Sequence, residues 1–181
     1  MDISEFFRHI RVELFGGSIT QSQVDGTNAL LDAWKSFDPR WTAYALATAF
    51  HETDFTMQPI AECGHGKGQP YGAAVGPYGQ RYYGRGYVQL TWAHNFDRAD
   101  KEIPGFDLLR EPDNALKPEV AAVIMVRGMT EGWFTGLKLD HYFNAKITDW
   151  VNARRIINGL DCAARIASYA VKFNNALKGT P

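Results

Sequence analysis

The sequence predicts a mainly α fold with at most a short β-hairpin. Three observations carry that reading. Apolar residues recur at helical spacing in several separate stretches, as in Ile3, Phe6, Phe7, Ile10, Val12 and Leu14. Helix-starting and helix-stopping residues bracket these stretches, among them Gly16-Gly17, Asp38-Pro39 and Pro118. The stretch rich in glycine, proline and tyrosine is confined to Gln58 to Gly86, with room for one hairpin and for a strand over Tyr87–Thr91.

In chain order, the first helix runs from Ile3 to Leu14 and ends at Gly16-Gly17. Ser18 or Thr20 caps the second, which carries Val24, Leu30, Leu31 and Trp34 and stops near Asp38-Pro39. The third starts just after Pro39, because proline suits a first turn, and runs into His51-Glu52-Thr53. After the long loop, Thr91 to Lys101 reads as helix and Pro104-Gly105 breaks it. Arg110 to Asn114 is a turn, and Pro118 opens an apolar helix ending near Gly128. Gly132 to Gly136 is a loop. Asp149 caps a helix running to Ile157 with Gly159 as its C-terminal cap, and Asp161 caps a last helix carrying Ile166, Ala170, Phe173 and Leu177.

A chain of 181 residues with 45% hydrophobic and 22% charged residues is expected to form one domain, spanning 1–181, with a substantial core. A net charge of -1 gives no electrostatic reason to expect nucleic acid, Arg81, Arg85 and the loop tyrosines notwithstanding. No run of about 18 apolar residues suggests a membrane span. The N-terminus is acidic and broken by Arg8 and Arg11, unlike an export signal, so synthesis and folding in the cytoplasm are expected. Cys63 and Cys162 then read as free thiols; a bridge between them is the alternative, since both neighbour residues of the site.

Two carboxylates organise the chemistry. Glu52 shares a helical face with Ala45, Thr48, Ala49 and Phe55 and lies near a helix C-terminus. Apolar surroundings and the macrodipole both favour its neutral, proton-donating form. A surface glutamate, or one paired with an arginine such as Arg85, is the plainer reading. Glu62, in the glycine-rich loop, is expected to be more solvated and ionised. One protonated and one ionised carboxylate are what glycoside hydrolysis requires. A thiol hydrolase using Cys63 with His51, His65 or His94 is disfavoured, because Glu62 beside the cysteine opposes a thiolate. Metal binding by His51, Cys63 and His65 lacks a second ligand pair at zinc-site spacing, so neither a metal nor a cofactor is expected.

Phe50-His51-Glu52-Thr53, followed by Tyr82-Tyr83-Gly84-Arg85-Gly86-Tyr87-Val88-Gln89-Leu90-Thr91-Trp92-Ala93-His94-Asn95, resembles the core signature of glycoside hydrolase family 19. That family holds plant-type chitinases and many bacteriophage endolysins and prophage lysozymes. Arg155-Ile156-Ile157-Asn158-Gly159 resembles its second signature, and the resemblance extends from about Ala43 to Tyr169. It implies an α+β lysozyme-like fold of two mainly helical lobes flanking a cleft, with Glu52 as general acid. Thr91 falls where the family holds the attacking water. Gln89, Asn95 and Asn158 match substrate-binding positions, Arg165 the late arginine that braces the site, and His51 and Thr53 would support the acid. The family inverts the anomeric centre, which makes the second carboxylate a general base; Glu62 is the choice for it over Asp54, which lies on another helical face.

The activity expected on this basis is endolysin-type cleavage of the β-1,4 bonds of bacterial peptidoglycan by a monomer released through a holin pore, encoded by a phage or prophage. A chitinase acting on N-acetylglucosamine polymers is the first alternative. A sugar-binding protein that has lost catalysis is the second.

Overall fold

In the computed structural model, which describes residues 2–179, six α-helices form the framework: α1 (Ile3–Glu13), α2 (Gln21–Trp34), α3 (Pro39–Glu52), α4 (Ala93–Glu102), α5 (Pro118–Glu131) and α6 (Ala163–Lys178). The organising element is α3, in which every residue from Thr42 to Phe50 is buried. This stretch carries no charge, and its two threonine hydroxyls are satisfied by the Trp34 and Tyr44 carbonyls, so no face of it needs water. Its alternating alanines, Ala43, Ala45, Ala47 and Ala49, keep it slender enough for α6 to lie along it. Phe50, at its end, meets Phe15, Tyr169 and Phe173 edge to face. α1 packs on α6, while α2 bridges α3 and α5.

The helix starts follow the sequence closely. Thr20 caps α2 in a reciprocal capping box with Gln23. Asp38 caps α3, with Pro39 in the first turn. Three helix boundaries differ. α5 runs past Gly128 to Glu131 and ends on Gly132, whose φ of 76° closes it. Gly128 is inside the helix because the Phe134 ring packs on it; a Cβ there would lie 2.0 Å from Phe134 Cζ. The residues after Asp149 form a 3-10 turn, Asn152–Ile156, instead of an α-helix; its N-cap is Val151, and Asp149 accepts from the Asn152 amide and side chain. α6 begins after Cys162, in the left-handed conformation, and Asp161 makes no cap.

The second lobe spans residues 58 to 116, a long loop followed by α4. Instead of a single hairpin it holds two two-stranded antiparallel sheets: β1 (Ile60–Ala61) with β4 (Arg85–Gly86), and β2 (Ala74–Val75) with β3 (Gln80–Arg81). The second is a local hairpin within the Gln58–Gly86 stretch, turning at Gly76–Gly79. The first joins distant ends of the loop, a pairing that no local periodicity announces. Tyr87–Thr91 is not a strand. Arg85 and Leu90 exchange backbone hydrogen bonds of 3.2 and 2.9 Å, closing a tight turn in which Gly86 and Gln89 have positive φ. The lobe sits on α5 through β4 and a 3-10 turn at Pro112–Leu116. Between it and the helical body lies the cleft.

Candidate functional site

The cleft encloses about 620 Å³, within the range of small-molecule and glycan sites. The helical side contributes Glu52, Arg154, Ile157, Asn158 and Gly159, with Phe134 and Thr135. The loop side contributes Glu62, Tyr71 and Gly84, then Val88 to Trp92 and Asn95. Six of the eight residues singled out from the sequence therefore meet here: Glu52, Glu62, Thr91, Gln89, Asn95 and Asn158. His51 and Arg165 do not.

Glu52 is the last residue of α3, and Thr53 behind it is fully buried. The Thr53 hydroxyl donates to the Ala49 carbonyl at 2.7 Å and accepts from the Met57 amide at 3.1 Å. This ties off the helix and starts a run of left-handed residues, Asp54, Phe55 and Met57, that turns the chain away from the carboxylate. Asp54 is exposed beyond that bend, outside the cleft lining. The partner of Glu52 is Arg154, which donates from Nη1 to Oε1 at 2.6 Å while its Nε donates to the Asp161 carbonyl at 3.1 Å. Arg85, the partner considered from sequence, is committed elsewhere, to Asp113 and to the carbonyls of Arg81 and Tyr83. With Oε1 fixed, Glu52 has Oε2 left to offer to the cleft.

Glu62 is held from both sides. The Tyr71 hydroxyl donates to Oε1 and the Gly84 amide to Oε2, both at 3.0 Å, while the Glu62 amide donates to the Gly84 carbonyl at 2.7 Å. A Cβ at 84 would fall 2.7 Å from Gln89 Oε1 and 3.3 Å from Glu62 Cβ, so glycine there lets the backbone lie against both side chains. Burial, then the bond to Glu62, pushes the Tyr71 phenol above its ordinary value. Its ring meets Trp92 edge to face at 5.5 Å.

The Gln89-to-Asn95 segment lies along the cleft. Gln89 spends its amide on the carbonyls of Ile60 and Gly86, so it ties the tight turn to β1 as well as lining the site. Asn95 donates to the Thr91 carbonyl at 2.9 Å, on the first turn of α4. Trp92, with φ 71° and 42% exposure, stands at the rim between Tyr71 and His94. Asn158 accepts from the Gly159 amide and is exposed.

His51 precedes Glu52 on the helix and so points about 100° away from it. It is half-buried outside the cleft. Burial pushes its imidazole below the ordinary value; Glu52 opposes this, and Arg154 and Arg165 add to it. Arg165 lies exposed in the first turn of α6, and the bracing contact expected of it is made by Arg154. The tandem Arg154-Arg155 sits on a 3-10 turn that buries the first and exposes the second, which the sequence cannot tell apart. Arg154, Tyr71, Gly84, Trp92, Phe134 and Thr135 are among the cleft residues that sequence reasoning did not single out.

Cys63 and Cys162 are free thiols. Among the described residues, no three His, Cys, Asp or Glu side chains converge as a metal would need, and no helix is long and apolar enough to cross a membrane.

A helical body and a loop lobe that each bring one glutamate to a shared cleft define a lysozyme-like glycoside hydrolase fold. The model of glycoside hydrolase family 19, described as chitinase class I, matches residues 43–171, and the chain belongs to that family. An endochitinase of Arabidopsis thaliana is 37% identical over 115 residues, covering 57% of this chain and 36% of the plant protein. Chitinase 5 of Oryza sativa subsp. japonica is 34% identical over 85 residues, covering 46% and 26%. The match thus spans little more than a third, at most, of these relatives' own length. Among solved structures, chitinase C from Streptomyces griseus HUT6037 superimposes with a TM-score of 0.63 at 25% identity, over 98% of this chain and 76% of that one. A class IV family 19 chitinase from Zea mays, at 16% identity and a TM-score of 0.56, shares the fold.

Proposed function

We propose that the protein hydrolyses β-1,4 bonds of an N-acetylglucosamine polymer of the chitin type, with inversion. The observation that carries this is the pair of glutamates on opposite sides of one cleft, each fixed through one or both oxygens by its own lobe, in a chain of family 19. Glu52 acts as the general acid. Arg154 holds Oε1, which leaves Oε2 to protonate the leaving oxygen. Glu62 acts as the general base on a water, its carboxylate aimed by Tyr71 and Gly84, with Thr91 helping to hold the water. Asn95 and Asn158 offer amides to the sugar, and Trp92 offers a ring to its apolar face.

Peptidoglycan, the substrate first expected from the sequence, presents the same bond beside an N-acetylated sugar. The named relatives, all chitinases, favour chitin. Reducing-end release from chitin oligosaccharides and from purified peptidoglycan, side by side, tests the choice. Release from chitin at the higher rate is the expected outcome, with loss of about 10²–10⁴-fold in Glu52→Gln and in Glu62→Gln. Release from peptidoglycan alone would return the protein to the lysin reading with the same two carboxylates. Full activity in Glu52→Gln would overturn the assignment of the acid.

A further inference from the structure

Behind the cleft is a second pocket of about 390 Å³ that shares no lining residue with it. The two are divided by the chain leading into β4, where Gly84 lines the cleft and Tyr83 and Arg85 on either side of it line the pocket. Three layers build the pocket's floor. The Arg85 guanidinium lies 3.5 Å from the centre of the Tyr83 ring, and the His65 ring is stacked at 4.7 Å and 9°. At those distances the two cannot share a face of the tyrosine, so Tyr83 is sandwiched between them.

The inner layer cannot move. Arg85 is 3% exposed and is held by Asp113 at 2.7 Å and by the carbonyls of Arg81 and Tyr83 at 3.1 and 3.0 Å. The outer layer, His65, is exposed, and its left-handed backbone (φ 50°) presents the ring at the pocket edge. Around this plate stand Arg81 and Glu111, neither engaged through its side chain among the described residues, and Asp113, whose side chain is 70% exposed. Two guanidiniums facing two carboxylates disfavour an anion and a cation alike. What they suit is a neutral ligand rich in donors and acceptors with one flat apolar face, and a sugar ring has both properties.

We propose that this pocket is a second glycan-binding site, which holds a neutral N-acetylglucosamine polymer beside the cleft without taking part in bond cleavage. The proposal rests on the glycosidase reading for its choice of ligand. His65→Asn removes the ring while tolerating the left-handed backbone, and Arg81→Ala removes an exposed guanidinium that holds nothing in the fold. Two measurements test it: pelleting of Glu52→Gln protein with insoluble chitin, with and without each pocket substitution, and hydrolysis of a soluble chitin hexasaccharide by otherwise unmodified protein. The expected result is a fivefold to tenfold loss of pelleting affinity with hexasaccharide turnover within twofold. Unchanged pelleting in both variants would overturn the proposal. So would an equal loss on the soluble substrate, since the residues would then be supporting the Glu62 loop. A protein that hydrolyses neither chitin nor peptidoglycan would refute the glycosidase reading instead, and the pelleting comparison would still decide the second site.

Discussion

Replacing Arg154 by Met tests the link between the fold and the proposed acid. The Arg154 side chain is 4% exposed and that of Glu52 is 15% exposed, with 2.6 Å between Nη1 and Oε1. Removing one partner of a buried pair costs about 3–5 kcal/mol, chiefly because the other charge is stranded. Glu52 borders the cleft and can recruit water, so the lower end, about 3 kcal/mol, is expected for Arg154→Met. At about 2–4 °C per kcal/mol for a domain of this size, Tm should fall by about 6–12 °C. Glu52→Gln keeps an acceptor for the guanidinium and loses only the charge assistance, about 1–2 kcal/mol. Once Glu52 is neutral, Arg154→Met strands no carboxylate, so the double variant should be more stable than the sum predicts, by about 1–3 kcal/mol. Urea unfolding followed by circular dichroism at pH 7 gives all four corners of the cycle. Activity should fall about 100-fold in Arg154→Met, the scale of a 1 Å misplacement. Arg154→Lys should not restore it, since lysine cannot serve both Glu52 and the Asp161 carbonyl from the same geometry. Additivity within about 0.3 kcal/mol would refute the idea that this pair holds the acid in place.

Tyr71→Phe keeps the ring against Trp92 and deletes the donor to Glu62. Activity should drop about tenfold and the acidic limb of the pH–rate profile move up by about half to one unit, from a hydrogen bond of about 0.5–1.5 kcal/mol. A stationary limb would point to a base other than Glu62. Gly84→Ala drives a methyl into Gln89 and Glu62; overpacking should cost about 1–3 kcal/mol and kcat should fall further than in Tyr71→Phe, measured on soluble oligosaccharide. Because burial holds His51 below its ordinary value of 6.5, the unfolded chain binds a proton in mild acid that the native chain refuses. Stability should be full above about pH 6.5 and decline as pH falls. His51→Gln should flatten that decline in urea midpoints between pH 5 and 6.5, and an unchanged slope would assign it to other groups.

The sequence by itself determined most of the helices and singled out Glu52 and Glu62, which the fold brings to one cleft. Helices are local: Thr20 with Gln23, and Asp38 with Pro39, state where a helix starts within a few residues. Alanine-rich α3 has no charged residue from Trp41 to Phe50, and that stretch has no charged face to turn to water. Glu52 was legible because its position at the end of that helix is a local fact. What the tertiary structure alone decided is who faces whom. The β1–β4 pairing closes the long loop and brings Gly84 against Glu62, and it depends on residues far apart in the chain. The choice of Arg154 over its neighbour Arg155 as the partner of Glu52 depends on which of the two the 3-10 turn buries. Gly128 lies inside a helix because the Phe134 ring folds back onto it beyond the helix end. Local propensity and capping act over a few residues and can be read along the chain. Salt bridges, stacked rings and the walls of a cleft are set by packing between elements, and only the folded chain specifies them.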